Sequence, residues 1–197
     1  MNIPDIQSIG WKASGRGGAV AAGGAGAVAA GVEILAAGGN AADAAVATLL
    51  ALSLTDYGWF AVGGEVPFII YDARRREVKV LSGQGRAPLS PAATDWYMQH
   101  GIPSDGDLKS SAVPGAIDLC LTALRLYGTL PFSEVVAPAL RMLDTGEKDW
   151  YPALAGTYQR LIQTEQRTVR HAGSEVAGRR RSLLSRRHRR RTGSLVH

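Results

Sequence analysis

Apolar positions at helical spacing predict two helices near the start of the chain. In the first helix these positions are Val28, Val32 and Leu35, with Ile34 beside them. Gly38 and Gly39 supply a stop. Asn40 is then placed to cap the next helix, with Asp43 near the positive N-terminal end of that helix. The inward positions of the second helix are Val46, Leu49, Leu50 and Leu54. The pattern therefore predicts a helical hairpin.

After Pro67 the pattern changes to that of a β-hairpin. Residues 68–71 are all β-formers, and residues 77–81 alternate, with Val78 and Val80 on one side. The polar residues from Asp72 to Arg76 lie between the two segments and form a turn. Two antiparallel strands are therefore expected here, followed by a loop over residues 84–91.

The second half of the chain predicts further helices. A short helix is expected over 95–100, and Pro114 suits the first turn of the next helix because its missing N–H is not needed there. The inward face of that helix carries Ile117, Leu121 and Leu124. Residues 132–143 repeat the helical pattern, and Pro138 divides them into two short helices. Helices, a hairpin and more helices indicate mixed α and β layers, an α+β fold, rather than an alternating parallel sheet.

Composition adds a sharp difference between the body of the chain and its last residues. The chain has 197 residues, 46% of them hydrophobic, which is enough for one domain with a sizeable core. Its net charge is +5, but residues 167–197 hold ten arginines and one acidic residue, whereas residues 1–166 carry a net −4. The body is therefore mildly acidic, and the tail alone makes the chain basic.

Nothing in the residue content predicts a metal, a cofactor or a membrane span. Cys120 is the one cysteine and lies among leucines, so a buried, inert thiol is expected. The four histidines show no metal-ligand spacing. The longest uncharged run, residues 17–32, is short and mostly Gly and Ala. Residues 1–18 show no signal peptide, so a cytoplasmic location is the default expectation.

Five sequence blocks between Gly18 and Gly146 occur in an order typical of one enzyme family. The first is residues 31–48, with the core Gly-Gly-Asn-Ala-x-Asp-Ala-Ala-Val-Ala at 38–47. The others are Val62-Gly63-Gly64 before Phe68-Ile69-Ile70-Tyr71-Asp72, Arg86-Ala87-Pro88, Val113-Pro114-Gly115, and Tyr127-Gly128-Thr129-Leu130-Pro131. Together they resemble the N-terminal, large-subunit portion of gamma-glutamyltranspeptidases.

The resemblance implies an N-terminal-nucleophile hydrolase fold, a four-layer αββα sandwich of which residues 1–166 would supply the large-subunit half only. Members of this family are made as precursors that cut themselves before a threonine. The hydroxyl of that threonine attacks the substrate amide. The glutamyl group of a glutathione-like donor then passes to water or to an amino acid.

The nucleophile is expected to lie beyond position 197, in a small subunit that is the partner of this chain. Neither Thr164 nor Thr192 stands in the sequence context of the cleavage threonine. The diglycine of the oxyanion hole belongs to the same subunit, so Gly63-Gly64 is not given that role. We therefore assign no catalytic residue here and expect the truncated chain to be inactive alone.

Arg86 and Gln84 are the two candidate substrate-binding residues. The resemblance places the arginine that holds the substrate carboxylate three positions before Ala-Pro, where this sequence has Gln84. Arg86 lies two residues later, and its guanidinium also suits a carboxylate; the alternative is a plain surface arginine. If Gln84 replaces the clamp, the donor is another amide, as in a cephalosporin-acylase-like enzyme. Glu65 is either a further site residue or a solvated loop carboxylate.

Residues 167–197 form an arginine-rich tail. Its charge favours nucleic acid, but it has no aromatic residue for base stacking and no folded recognition motif, so a nucleic-acid partner is not expected. A shifted reading frame in a GC-rich gene yields the same composition. The sequence therefore predicts a disordered or frameshifted tail on a truncated chain. A nucleic-acid-binding protein is the alternative from another functional class.

Overall fold

The computed structural model describes residues 15–104, 106–111 and 113–168. The chain divides into two units, of which the first ends at residue 145 and the second begins at residue 146. The elements of the first unit are α1 (Ala25–Ala36), α2 (Ala41–Thr55), β1 (Val66–Asp72), β2 (Glu77–Gly83), α3 (Pro91–His100), α4 (Ala116–Tyr127), α5 (Phe132–Val135) and α6 (Ala137–Leu143). This order confirms the expected mixture of helices and strands. In addition, a single 3-10 turn covers Leu108–Ser110.

Small residues determine how α1 packs against α2. The buried positions of α1 are Ala27, Ala30, Gly31 and Ile34. The spacing that includes Val32 correctly predicted this helix, but Val32 itself is 49% exposed and does not belong to the buried face. The reason is the close approach of the two helices, since a Cβ on Gly31 would overlap Oγ1 of Thr48. At Gly31, the face that α1 turns to α2 has no room for a side chain.

The predicted cap of α2 is confirmed. Oδ1 of Asn40 accepts hydrogen bonds from the backbone amides of Ala42 and Asp43. In return, the Asp43 carboxylate accepts a hydrogen bond from the backbone amide of Asn40 at 2.9 Å. Asp43 is fully buried and also accepts hydrogen bonds from the amide and hydroxyl of Thr129, at 3.1 and 2.7 Å. One carboxylate therefore ties the start of α2 to the segment that precedes α5.

The β-hairpin is antiparallel, and its register runs from Val66 opposite Gly83 to Asp72 opposite Glu77. One face of the hairpin lies over the core formed with α2 and α4, where Val66 packs with Ala116 and Leu119. The apolar residues of the other face are exposed; they are Ile69, Tyr71, Val78 and Val80. The hairpin thus contributes only one of its two faces to the core of this unit.

Two predicted helix starts differ from the structure. α4 begins at Ala116, because the amides of Gly115 and Ala116 both donate to the Gly64 carbonyl and leave Pro114 in the preceding loop. α3 begins at Pro91, four residues before the predicted start, with the proline in its first turn. The division of the last apolar segment into α5 and α6 is confirmed, with Pro138 in the first turn of α6.

The second unit is described from residue 146 to residue 168, and residues 151–168 are helical. Its buried side chains are Tyr151, Tyr158 and Ile162. From residue 169 onward, the tail predicted to be disordered or frameshifted lies outside the described residues. Among the helices that can be described, none has both the length and the apolar character needed to cross a bilayer.

Candidate functional site

A cavity of about 470 Å³ lies where the loops at the open end of the β-hairpin meet α3. Its charged lining residues are Glu65, Arg86 and Lys109. Apolar and hydroxyl-bearing residues complete the wall; among them are Pro88, Thr94, Tyr97, Met98, Ile102, Ser110 and Val113. The cavity therefore combines an apolar wall with a few charged groups, as small-molecule sites commonly do.

Three loops meet at this cavity because backbone atoms approach one another closely. A Cβ on Gly85 would overlap the carbonyl oxygen of Val113, and a Cβ on Gly115 would overlap the carbonyl oxygen of Gly83. Glycine is required at both positions for steric reasons. The blocks that contain Gly64, Arg86 and Gly115 are thus neighbours in space, although they are separated along the chain.

Side-chain hydrogen bonding adds a further link between two of these loops. Oε1 of Glu65 accepts a hydrogen bond from the amide of Gly85 at 3.1 Å. Gly85 immediately precedes Arg86, so the hydrogen bond fixes the backbone next to the candidate substrate-binding arginine. The sequence left the role of Glu65 open between a site residue and a solvated carboxylate; in the structure Glu65 is exposed to solvent and also lines the cavity.

The opposite wall is held by aromatic contacts of α3. The hydroxyl of Tyr97 donates to the Lys109 carbonyl at 2.7 Å, and Nζ of Lys109 lies 4.2 Å from the centre of the Trp96 ring. The Trp96 ring also stacks on His100 with a centroid separation of 4.6 Å. These contacts attach the 107–111 segment to α3. Sequence reasoning missed Tyr97 and Lys109, since no local pattern marks a contact between a helix and the loop that follows it.

Arg86 and Gln84 lie differently with respect to the cavity. Arg86 is exposed at the cavity wall, and within the described part of the chain its guanidinium makes no ion pair. Gln84 is also exposed but is not among the residues that line the cavity. A free guanidinium in a partly apolar cavity can bind a carboxylate through two parallel hydrogen bonds.

The other chemical candidates lie away from this cavity. Cys120 is buried in α4, and burial raises the pKa of its thiol to about 12, so the thiol is protonated at neutral pH. Within the described ranges, no group of His, Cys, Asp and Glu side chains is arranged to hold a metal ion. A larger cavity of about 710 Å³ lies beside α2 and β1, but none of the described residues in its lining has an ionisable side chain.

Known proteins resemble this chain over most of its length. The family model described as Gamma-glutamyltranspeptidase matches residues 27–176. A glutathione hydrolase proenzyme of Bacillus subtilis (strain 168) is 30% identical over 82% of this chain. An acylase ACY 1 proenzyme of Pseudomonas sp. (strain SE83) is 36% identical over 68% of this chain. The chain spans only 28% and 26% of the length of these two relatives.

Solved structures of the same kind share the fold of this chain. The gamma-glutamyltranspeptidase of Pseudomonas nitroreducens matches 77% of this chain, and 56% of its own, with a TM-score of 0.61 and 25% identity. The cephalosporin acylase of Bacillus halodurans matches 60% of this chain, and 22% of its own, with a TM-score of 0.54 and 30% identity. The relatives of this chain include glutathione hydrolases and acylases. The family described as Gamma-glutamyltranspeptidase matches most of the sequence. The chain belongs to the gamma-glutamyltranspeptidase family.

Proposed function

We propose that this chain is the large-subunit part of an enzyme that transfers a gamma-glutamyl group from a glutathione-like amide to water or to an amino acid. The observation that supports the proposal is the cavity at the hairpin loops, where the guanidinium of Arg86 is free of ion pairs within the described residues. We propose that Arg86 binds the α-carboxylate of the glutamyl group. In this role it takes over the function of the arginine that the family has at the position of Gln84.

Two hydroxyl groups in the cavity lining, those of Thr94 and Ser110, already donate hydrogen bonds to backbone carbonyls. Oγ1 of Thr94 donates to the Ser90 carbonyl at 3.2 Å, and Oγ of Ser110 donates to the Asp107 carbonyl at 2.6 Å. An attacking hydroxyl also requires a neighbouring base, and the two candidate bases in the described lining have other contacts: Glu65 accepts a hydrogen bond from the Gly85 amide, and Nζ of Lys109 lies over the Trp96 ring. We therefore propose that the attacking threonine and the oxyanion hole come from a small subunit, and that this chain is inactive without it.

The exposed face of the β-hairpin is the surface on which we place that partner. Ile69 lies opposite Val80, and Tyr71 lies opposite Val78, so two apolar cross-strand pairs stand side by side. These four side chains are 60–74% exposed. A sheet face of this kind is stabilised when a second layer covers it. In the sandwich implied by the family, the second β-layer would occupy this position.

The proposal is tested by measuring release of p-nitroaniline from L-γ-glutamyl-p-nitroanilide. We expect no turnover by the purified chain alone, and turnover when a small subunit of a gamma-glutamyltranspeptidase is added. Arg86→Ala in the reconstituted enzyme should raise KM at least tenfold, because a charge-assisted bidentate contact is lost. Turnover by the repurified chain alone would refute the absence of a nucleophile. An unchanged KM in Arg86→Ala would refute the role of Arg86.

A second candidate is an amidohydrolase of the same family whose donor is not a glutamyl group. It is favoured by Gln84 at the family's clamp position and by the acylase relative, which is 36% identical. Such an enzyme would not need to hold an α-amino acid. The same assay with glutaryl-p-nitroanilide, which lacks the α-amino group, separates the two. Preference for the glutaryl amide would support the acylase-like function.

A further inference from the structure

The loop that carries Arg86 begins where the β-ladder ends. The last pair of the hairpin is Val66 opposite Gly83, and no regular structure follows until Pro91. The next residues on either side of the last pair are Glu65 and Gln84. Backbone pairing therefore fixes the chain up to Gly83 and leaves the segment with Arg86 without ladder hydrogen bonds.

Glycine at position 85 lets the segment with Arg86 pack closely against the Val113 backbone. A side chain is excluded there because a Cβ would overlap the Val113 carbonyl and lie 2.8 Å from the Val113 amide nitrogen. A glycine has more accessible backbone conformations than any other residue, so Gly85 itself restricts the backbone beside Arg86 less than another residue would. Some other contact must limit the directions in which the arginine points.

Glu65 supplies such a contact in place of the missing ladder hydrogen bond. Its Oε1 accepts the Gly85 amide across twenty residues of sequence, at 3.1 Å. Glu65 itself is anchored on both sides, since Val66 is buried in the hairpin core and the Gly64 carbonyl accepts hydrogen bonds from the amides of Gly115 and Ala116. The Glu65 backbone is therefore held by its neighbours, and its exposed side chain reaches the Gly85 amide from a fixed start.

The Glu65 carboxylate does not form an ion pair with Arg86. Both residues line the cavity, yet no ion pair joins them. A direct ion pair would compete with an incoming carboxylate for the guanidinium. Because the Glu65 carboxylate binds a backbone amide instead, it can order the loop while the guanidinium remains available to a ligand.

We propose that Glu65 is a positioning residue for Arg86, through the hydrogen bond from the Gly85 amide to its carboxylate. The substrate-binding role of Arg86 is the part of this inference that rests on the proposed function. Glu65 does not touch the substrate, and its contribution requires an acceptor oxygen but no negative charge. Glu65→Gln retains that oxygen, whereas Glu65→Ala removes it.

The experiment uses the full chain with Glu65→Ala, Glu65→Gln, Arg86→Ala and the double variant Glu65→Ala/Arg86→Ala. Glu77→Ala, at the other end of the hairpin, is the matched control, because Glu77 contacts Lys79 and lies away from the cavity. Two quantities are measured: amide hydrogen exchange over residues 84–87, and L-glutamate affinity by NMR titration. A melting curve of each variant checks that the fold is retained.

We expect Glu65→Ala to speed exchange at residues 84–87 and to weaken L-glutamate binding about five- to tenfold, the factor that one net hydrogen bond carries. Glu65→Gln should stay within about twofold of the wild type, since its amide oxygen still accepts the bond. Adding Glu65→Ala to Arg86→Ala should cause no further loss, because the two residues act in one chain of contacts.

Three results would overturn the inference. The first is unchanged exchange in Glu65→Ala, and the second is a loss in Glu65→Gln as large as in Glu65→Ala, which would mean that the charge contacts the ligand. The third is a double variant that loses as much L-glutamate affinity relative to Arg86→Ala as Glu65→Ala loses relative to the wild type. Failure of the proposed function gives a different result. Arg86→Ala would then bind L-glutamate with the affinity of the wild type, whether or not amide exchange at residues 84–87 changes in Glu65→Ala.

Discussion

The buried carboxylate of Asp43 provides the most direct test of how the first unit is held together. It is fully buried and accepts hydrogen bonds from the amides of Asn40 and Thr129 and from the Thr129 hydroxyl, with a longer contact of 3.4 Å from the Leu130 amide. Asp43→Ala removes the acceptor for all of these donors at once. The donors then remain in a site that water cannot easily enter, and their desolvation is no longer compensated.

The size of the effect follows from the number and type of these hydrogen bonds. Hydrogen bonds to a charged group contribute about 1.5–3 kcal/mol each, and their sum is reduced because they share one carboxylate. We expect Asp43→Ala to lower the free energy of unfolding by about 3–5 kcal/mol, a large part of the roughly 5–15 kcal/mol of a typical domain. Asp43→Asn keeps the shape but loses the charge and one acceptor, so a loss of about 1–3 kcal/mol is expected.

Urea unfolding followed by far-UV circular dichroism measures these differences. Asp118→Ala is the matched control, because Asp118 also lies in the first turn of a helix but is exposed. Its loss should stay below about 1 kcal/mol, the usual contribution of an exposed charge at a helix N-terminus. If Asp43→Ala unfolds within about 1 kcal/mol of the wild type, or no more easily than Asp118→Ala, the reasoning from buried hydrogen bonds is refuted.

Three further outcomes are expected. Gly115→Ala should destabilise the chain by about 1–3 kcal/mol in thermal melts, because the new Cβ would overlap the carbonyl oxygen of Gly83. Gly63→Ala is the control and should change the stability little, since Gly63 has open space around it. Equal losses of stability in the two variants would contradict the close approach at Gly115. Burial raises the pKa of Cys120 from 9.0 to about 12, so the stability that the neutral thiol contributes is complete below pH 9 and declines toward pH 12. Iodoacetamide at pH 8 should therefore label Cys120 only in denaturant, and rapid labelling of the folded chain would contradict its burial. Arg141→Ala should cost less than about 1 kcal/mol in urea melts, because the Glu33–Arg141 pair is about half exposed; a larger loss would show that the pair is coupled to other contacts.

The elements that sequence reasoning predicted well are those fixed by neighbouring residues. Asn40 and Asp43 are three residues apart, so the cap of α2 is a local structure that the sequence can show directly. The same holds for the β-hairpin, whose strands are joined by a short polar turn, and for Pro138 between α5 and α6. The resemblance to the family was also visible, because its blocks are continuous stretches of sequence.

The elements that sequence reasoning missed depend on contacts between distant residues. Three of the four buried residues of α1 are small, and Gly31 is small because the helix approaches Thr48 there. No periodicity of large apolar residues reveals that distance. The Gly64 carbonyl moves the start of α4 from Pro114 to Ala116, and it lies some fifty residues earlier in the chain. Such contacts override local preferences because they satisfy buried backbone groups.

The candidate site shows the same division. The sequence by itself determined that Arg86 and Gln84 are the residues to consider, that the mixed α and β fold is built on a capped helical hairpin, and that Cys120 is buried. Only the tertiary structure brought Arg86, Glu65 and Lys109 to one cavity and left Gln84 outside its lining. The physical reason is that glycines at 83, 85 and 115 allow three backbone segments to touch, and no residue in any single segment shows which other segment it will meet.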